Sequence, residues 1–225
     1  MPEPIVLSWS SGKDSAWALQ LLNDDPSFEV VGLLTTFNTD ADRVAMHAVR
    51  RELVDAQARS AGLPLIRVEI PERSDNGTYE EAFGAGLRSC AKRFGVERFA
   101  FGDLFLEDIR AYRERHLRAC GFGGVYPLWG RDTAALSRQM LAGGLRAWLT
   151  CVDGQQLNHD FSGRAYDETL LTELPAGVDP CGENGEFHTF TWAGPMLKKD
   201  VQVEPGERVV KDRFAFTDLV IADGA

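Results

Sequence analysis

The order of apolar runs and helical patterns in this chain of 225 residues predicts an α/β fold. The expected form is a parallel sheet with helices on both faces, followed by a smaller C-terminal α+β domain. Three observations carry it. Short runs rich in β-branched and aromatic residues alternate with helical periodicity from Ile5 to about Cys120. Several of the helical segments close on glycine, as helix C-termini do. After Tyr126-Pro127-Leu128-Trp129 the alternation gives way to a polar, glycine-punctuated region. The boundary is therefore expected at residues 129 and 130, giving domains 1–129 and 130–225.

Ile5 to Leu7 reads as the first buried strand, and Asp14 to Asn23 as the first helix. Val30 to Phe37 is a second buried strand. A helix is expected from Arg43 to Ala61, with Val44, His47, Ala48, Val54, Ala58 and Ala61 at helical spacing and Gly62 and Pro64 ending it. On that apolar face His47 reads as a packed residue. Leu65 to Ile70 is a third strand, Tyr79 to Phe94 a helix closed by Gly95, and Phe99 to Phe101 a fourth strand ending in Gly102-Asp103. Glu107 to Cys120 is a helix followed by Gly121. Beyond Trp129, read as a core residue at the domain junction, come a helix at Thr133 to Leu141 and strands at Arg146 to Cys151, Phe187 to Trp192 and Arg213 to Ile221. In a sheet of this kind ligands bind beyond the carboxyl ends of the strands.

The bulk numbers exclude several classes. Lys+Arg 24 against Asp+Glu 34 gives a formal net charge of −10, a poor default for binding nucleic acid. The four cysteines, Cys90, Cys120, Cys151 and Cys181, make no Cys-x-x-Cys pair, which argues against zinc, iron–sulfur and dithiol chemistry. No signal peptide or membrane-length apolar run is visible, so the expected location is the cytoplasm with reduced thiols and no membrane partner.

Ser10-Ser11-Gly12-Lys13-Asp14-Ser15 follows the first strand and opens onto the first helix. Small residues let backbone N–H groups close on an anion, and the helix N-terminus adds its dipole. Lys13 supplies a point charge for phosphate oxygens. Asp14 is acidic where a phosphate belongs, so it reads as a Mg²⁺ partner. This is not a Walker A loop. The plain alternative is a helix start capped by Ser10 or Ser11. Gly102-Asp103 ends another strand of the sheet, so it reaches the same crevice, although Asp103 would also serve as a helix cap.

Asp179-Pro180-Cys181-Gly182-Glu183-Asn184-Gly185-Glu186-Phe187-His188-Thr189 is the second dense cluster. Gly182 and Gly185 permit positive φ and close approach of a ligand. Glu183, Asn184, Glu186 and His188 can orient an acceptor, hold a metal or move protons. The plain alternative is a hairpin turn at Asn184-Gly185.

The first loop resembles the pyrophosphate loop, Ser-Gly-Gly-x-Asp-Ser, of the N-type ATP pyrophosphatases, with Ser11 in place of the first glycine. Together with Met46-His47, Gly102-Asp103, Pro127-Leu128-Trp129 and Cys181 to Thr189, it makes the chain similar to the diphthine–ammonia ligase family, whose signature is Gly-Glu-x-Gly-Glu-x-His-Thr. The resemblance implies a nucleotide domain of the adenine-nucleotide hydrolase type and ATP-dependent amidation of a carboxylate with ammonia, releasing AMP and pyrophosphate. It implies that Ser10, Ser11, Gly12 and Ser15 cradle pyrophosphate with Lys13 and Asp14, that Mg²⁺ sits on Asp14 with Asp103 a second candidate, and that adenine lies along Thr35, Thr36 and Phe37. Gly182, Glu183, Asn184, Gly185, Glu186, His188 and Thr189 form the acceptor group, with Lys13, Asp14, Glu183, Glu186 and His188 as the catalytic set. Expected partners are ATP, ammonia and a carboxylate acceptor, with a protein such as elongation factor 2 as its carrier. Assembly is open, with a homodimer among the options. Tyr79 and Arg113 stand on helices that adjoin the crevice. Two other readings remain: a tRNA-modifying enzyme of the same superfamily, which calls for a cysteine pair and a basic surface, and a non-catalytic nucleotide sensor.

Overall fold

The computed structural model describes residues 1–39, 43–44, 49–71 and 74–222. Met46 and His47 lie outside the described residues.

Five strands form a parallel sheet in the order β4 (Leu65–Ile70), β2 (Phe28–Asn38), β1 (Glu3–Ser8), β5 (Arg98–Ala100), β6 (Gly123–Val125). Helices α1 (Lys13–Asp24), α2 (Arg51–Ala61), α3 (Asn76–Phe94) and α4 (Glu107–Ala119) lie between successive strands. The chain first builds outward from β1 through β2 to β4, then turns back to β5 and β6. Strand order therefore reverses between β1 and β5, the position where sheets of this kind bind ligands. Ile5, Val6 and Leu7 are wholly buried, as a strand covered on both faces requires. Ile5 and Leu7 join the larger core, whereas Val6 points into a second core under α3 and α4 with Phe83, Leu87 and Leu117.

One expected element is different. Arg43 and Val44 form a short strand, β3 (Arg43–Val44), antiparallel to Asn38 and Phe37, and the helix starts only at Arg51. β1 ends opposite Leu34, so the last residues of β2 have an open edge on that side. A short strand there satisfies backbone groups that a longer helix would leave unpaired.

The C-terminal part is an antiparallel sheet centred on β7 (Arg146–Asp153), which follows α5 (Thr133–Ala142). β9 (Phe187–Ala193) pairs along one side of β7. β8 (Ala165–Tyr166) and β11 (Phe214–Ile221) share the other side, and β10 (Val203–Lys211) pairs with β11. A short helix, α6 (Glu168–Glu173), follows β8. The larger core is continuous across both sheets: Trp9, Trp17 and Leu19 share it with Leu149, Tyr166 and Phe190. Trp129 is not part of it. Leu128 fills that place, and Trp129 is half-exposed under the Arg110 guanidinium, 4.5 Å from its ring.

Candidate active site

The loop after β1 is held from outside. Gly12, not a serine, precedes α1, and no side chain caps the helix. Ser10 Oγ lies 3.1 Å from Ser15 Oγ, which itself donates to the Gly12 carbonyl at 3.0 Å. The serine-cap reading is therefore replaced by a helix start that neither Ser10 nor Ser11 caps, with the Lys13 N–H taken by Thr189 Oγ1. Ser11 adopts φ +72°, a left-handed conformation that a side chain disfavours. That explains why glycine suits this position in the resembling loops. The conformation is fixed at its carbonyl, which accepts from Thr191 N at 2.9 Å and from Gln57 Nε2 at 3.0 Å. Gln57 is fully buried on α2, donates also to the Thr191 carbonyl and accepts from Trp9 Nε1 at 2.9 Å. A polar residue on the apolar face formed by Leu53, Val54 and Ala58 was the signal for it in the sequence.

Lys13 is 2% exposed. Its Nζ donates to Asp14 Oδ2 at 2.9 Å and to the Cys181 carbonyl, and it lies 5.6 Å and 5.4 Å from the centres of the Tyr166 and Phe187 rings. Burial alone would lower its pKa, but Asp14, the Cys181 thiol and Glu183 outweigh this and raise it, so the ammonium persists. Its backbone N–H donates to Thr189 Oγ1 at 3.1 Å. The first loop is thereby tied at both main chain and side chain to the second cluster. The other oxygen of Asp14, Oδ1, is buried without a hydrogen-bond partner.

Gly102 packs where a side chain cannot go: a Cβ there would lie 2.9 Å from Asp14 C and Ser15 N. This close approach brings Asp103 beside the loop. Asp103 does not cap α4, whose N-cap is Leu106. Instead its Oδ2 lies 2.8 Å from Arg113 Nε.

The second cluster is a pair of turns, not a hairpin. Gly182 N donates to the Asp179 carbonyl at 2.8 Å and Gly185 N to the Gly182 carbonyl at 3.1 Å, while β9 finds its partner in β7. Both glycines have positive φ, +67° and +84°. Glu183 Oε1 accepts from Leu104 N at 2.8 Å, and Glu183 N donates to Asp179 Oδ2 at 2.9 Å. Burial pushes the Glu183 carboxyl up to about 7, with Asp14 and Asp103 adding and the Leu104 N–H and Lys13 opposing. Glu186 is 2% exposed and braces the turn, its Oε1 accepting from Asp179 N at 2.9 Å and Asn184 Nδ2 at 3.0 Å. Burial, aided by Lys13, lowers His188 to about 4, so its imidazole is neutral at pH 7. Cys181 is buried and pushed up to about 12, chiefly by burial, which removes it as a thiolate nucleophile.

These segments enclose one cleft of about 480 Å³. Of the sequence-derived candidates, Ser10, Lys13, Asp14, Ser15, Gly102, Asp103, Gly182, Glu183, Asn184, Gly185, His188 and Thr189 line it. Ser11 and Gly12 shape the loop from behind, Glu186 stands behind the turn, and Thr36 lies along β2 in register with Val68, outside the lining. Arg113 reaches the cleft; Tyr79 stacks on Phe83 at 5.7 Å and does not line it. Sequence reasoning missed the apolar wall of Phe101, Leu106 and Ile109. No group of three or more metal-ligating side chains occurs among the described residues, and no helix there is long and apolar enough to cross a membrane.

A diphthine–ammonia ligase of Danio rerio is 29% identical, covering 93% of this chain and 90% of its own. The protein of the same name from Homo sapiens is 27% identical, covering 93% and 86%. One from Schizosaccharomyces pombe is 26% identical over 89% of this chain but only 36% of its own length. The family model described as diphthamide synthase N-terminal domain matches residues 4–124, and the one described as diphthamide synthase C-terminal domain matches residues 132–221. With both models matched in order over nearly its whole length, the chain belongs to the diphthamide synthase family.

Proposed function

We propose that the protein is an ATP-dependent ligase that adenylates a diphthine-type carboxylate and amidates it with ammonia, releasing AMP and pyrophosphate. The observation that carries this reading is the single cleft in which an uncapped helix start and a carboxylate titrating near neutrality face each other. The domain division belongs to the same reading: residues 1–129 supply the ATP groups and 130–225 most of the acceptor groups.

The acceptor carboxylate attacks the α-phosphorus of ATP, and pyrophosphate leaves. An anion attacking a polyanion needs positive potential, which the first-turn N–H groups of α1 and the loop around Ser10, Gly12 and Ser15 supply. Lys13 acts through the loop, because its ammonium is engaged with Asp14 and the Cys181 carbonyl. The orphaned Asp14 Oδ1 fits a Mg²⁺ ion, which characteristically takes one or two carboxylates together with substrate phosphates. When bound, that ion neutralises phosphate charge. In the second half-reaction ammonia attacks the acyl carbon and AMP leaves. Ammonia is mostly ammonium at neutral pH, so a base is required. Glu183 is that base: it lines the cleft and its carboxyl titrates near 7. Glu186 holds the turn that presents it, and neutral His188 hydrogen-bonds the acceptor. The carrier protein follows the resemblance, with elongation factor 2 as acceptor; a homodimer is an option to be tested by mass.

The test is to supply MgATP, ammonium and diphthine-bearing elongation factor 2, and to separate the nucleotide products. AMP and pyrophosphate, formed only with the acceptor, are expected. ADP, or AMP formation indifferent to the acceptor, contradicts the assignment.

A further inference from the structure

β10 is the outermost strand of the C-terminal sheet: it pairs with β11, and its other edge meets no strand among the described residues. Edges left open in this way are usually blunted. The first half of β10 is blunted, by Pro205, Gly206 and the register shift there. The second half is not. Residues 208–211 keep unbroken register with β11 up to the turn, where Asp212 takes φ +55°. Two features of this half are unusual for an edge that faces water. Val209 and Val210 point to opposite faces of the sheet, yet they are 52% and 53% exposed. Glu207 and Lys211 alternate onto the face of Val209 and form no ion pair with any described residue; about 13 Å of strand keeps them apart. Arg208, by contrast, is answered within the chain by Asp160 at 3.1 Å. Val209 lies opposite Phe216 of β11, whose ring centre is 6.0 Å from that of Phe214.

We infer that residues 207–211 form a self-pairing edge whose partner is the same edge of a second copy of this chain, running antiparallel with the two-fold axis through Val209. Charge complementarity chooses both the partner and the register. Glu207 of each copy then stands directly opposite Lys211 of the other, which supplies both missing partners at once. On the opposite face the stem of Arg208 covers Val210 of the other copy. Along the first face, Phe216 and Val209 of one copy run into Val209 and Phe216 of the next, so two apolar strips open to water become one. Backbone groups on the open edge gain partners as well. A slip of one residue, with the axis between Val209 and Val210, sets Arg208 against Lys211 and Glu207 against Asp212. Those are like-charge oppositions, each repeated by the symmetry. No residue of β10 or β11 lines the cleft, so both clefts stay open and the pairing stands apart from the ligase reading.

The mass of the full chain in solution tests this, by sedimentation velocity across a concentration series. An interface this small predicts a reversible dimer with a Kd of roughly 10 to 100 µM, weakened by salt. Glu207→Lys and Lys211→Glu should each weaken it by about tenfold or more, since each sets like charges opposite one another twice. Combined in one chain, the two changes should restore the dimer to within about threefold of the parent, because the same pairs form with their signs exchanged. Register is read by cross-linking. Val209→Cys meets itself at the axis and should link two copies under mild oxidation, whereas Val210→Cys, set opposite Arg208, should not. The melting temperature of dilute protein should be the same in every variant, which places the effect in pairing and not in folding. A monomer at every concentration, a dimer indifferent to the single charge reversals, no rescue by the double exchange, or equal linkage through both cysteines overturns the inference.

Discussion

The two segments that face each other across the cleft differ in how much of their bracing is local. The loop at Ser10 to Ser15 is held by residues far from it in sequence: Gln57 on α2 and Thr189 and Thr191 on β9 bind its backbone. The turn at Asp179 to Glu186 adds a local brace, with Asp179, Asn184 and Glu186 bonding within eight residues, to the bonds it receives from Lys13, Tyr166 and Asp153. A phosphate-binding loop works through backbone N–H groups, whose direction only outside bracing can set. The acceptor turn works through side chains, above all Glu183, and needs a local scaffold that leaves that side chain in the cleft. The difference means that the first segment is vulnerable chiefly at a distance, whereas the second is vulnerable at its own residues as well.

The largest expected effect is at the first segment. Asp14→Asn should lower AMP formation by roughly a thousandfold. Isothermal titration should at the same time show ATP binding losing its dependence on Mg²⁺.

Glu183→Gln should come next, with amide formation reduced roughly a hundredfold and ATP affinity within twofold. The parent rate should fall as pH drops through about 7, where the carboxyl protonates, and this limb should vanish in the variant. The same raised pKa costs stability. Folded Glu183 keeps a proton that the unfolded chain has already lost between about 4.5 and about 7, so its contribution to stability declines as pH rises through that window. Above pH 7 the variant should therefore melt at a higher temperature than the parent, and the gap should close near pH 4.5. A gap that widens toward low pH would contradict the burial of this carboxylate.

Gln57→Leu tests bracing at a distance. It removes the partners of Trp9 Nε1 and weakens the hold on the Ser11 and Thr191 carbonyls, so a loss of about 2 kcal/mol is expected in urea unfolding. ATP KM should rise although Gln57 touches no part of the cleft. Glu186→Gln should cost about 1 kcal/mol, because the amide keeps an oxygen for one of the two N–H donors. Ser11→Gly should change stability by less than about 1 kcal/mol: relief of the left-handed strain offsets the added freedom of the unfolded chain. If Gln57→Leu were silent and Ser11→Gly severe, the contrast between the two segments would be lost.

The parallel sheet was legible because its strands are continuous apolar runs and three of its four helices close with turns carrying Gly62, Gly95 or Gly121. The C-terminal sheet was only partly so. β10 contains Pro205 and Gly206, which break a strand pattern, and the structure absorbs them in a register shift between Pro205 and Arg208. β8 has only two residues, too few to carry a period. Much of the cleft was visible as two polar, glycine-containing clusters at expected strand ends. The division of labour between Glu183 and Glu186 was not, since three residues apart in one motif they differ only in which way the turn sends them. The role of Gln57 depends on contacts to Ser11 and Thr191, 46 and 134 residues away, which no local pattern records.

The central claim is that the acceptor carboxylate attacks ATP at its α-phosphorus. The direct test uses acceptor labelled with ¹⁸O in both carboxylate oxygens, turned over with ATP and ammonium, and mass spectrometry of the AMP formed. An acyl adenylate hands one labelled oxygen to the phosphate of each AMP, and the amide keeps the other. AMP without label, formed alongside amide, would mean that the carboxylate never bonded to phosphorus and would contradict the account.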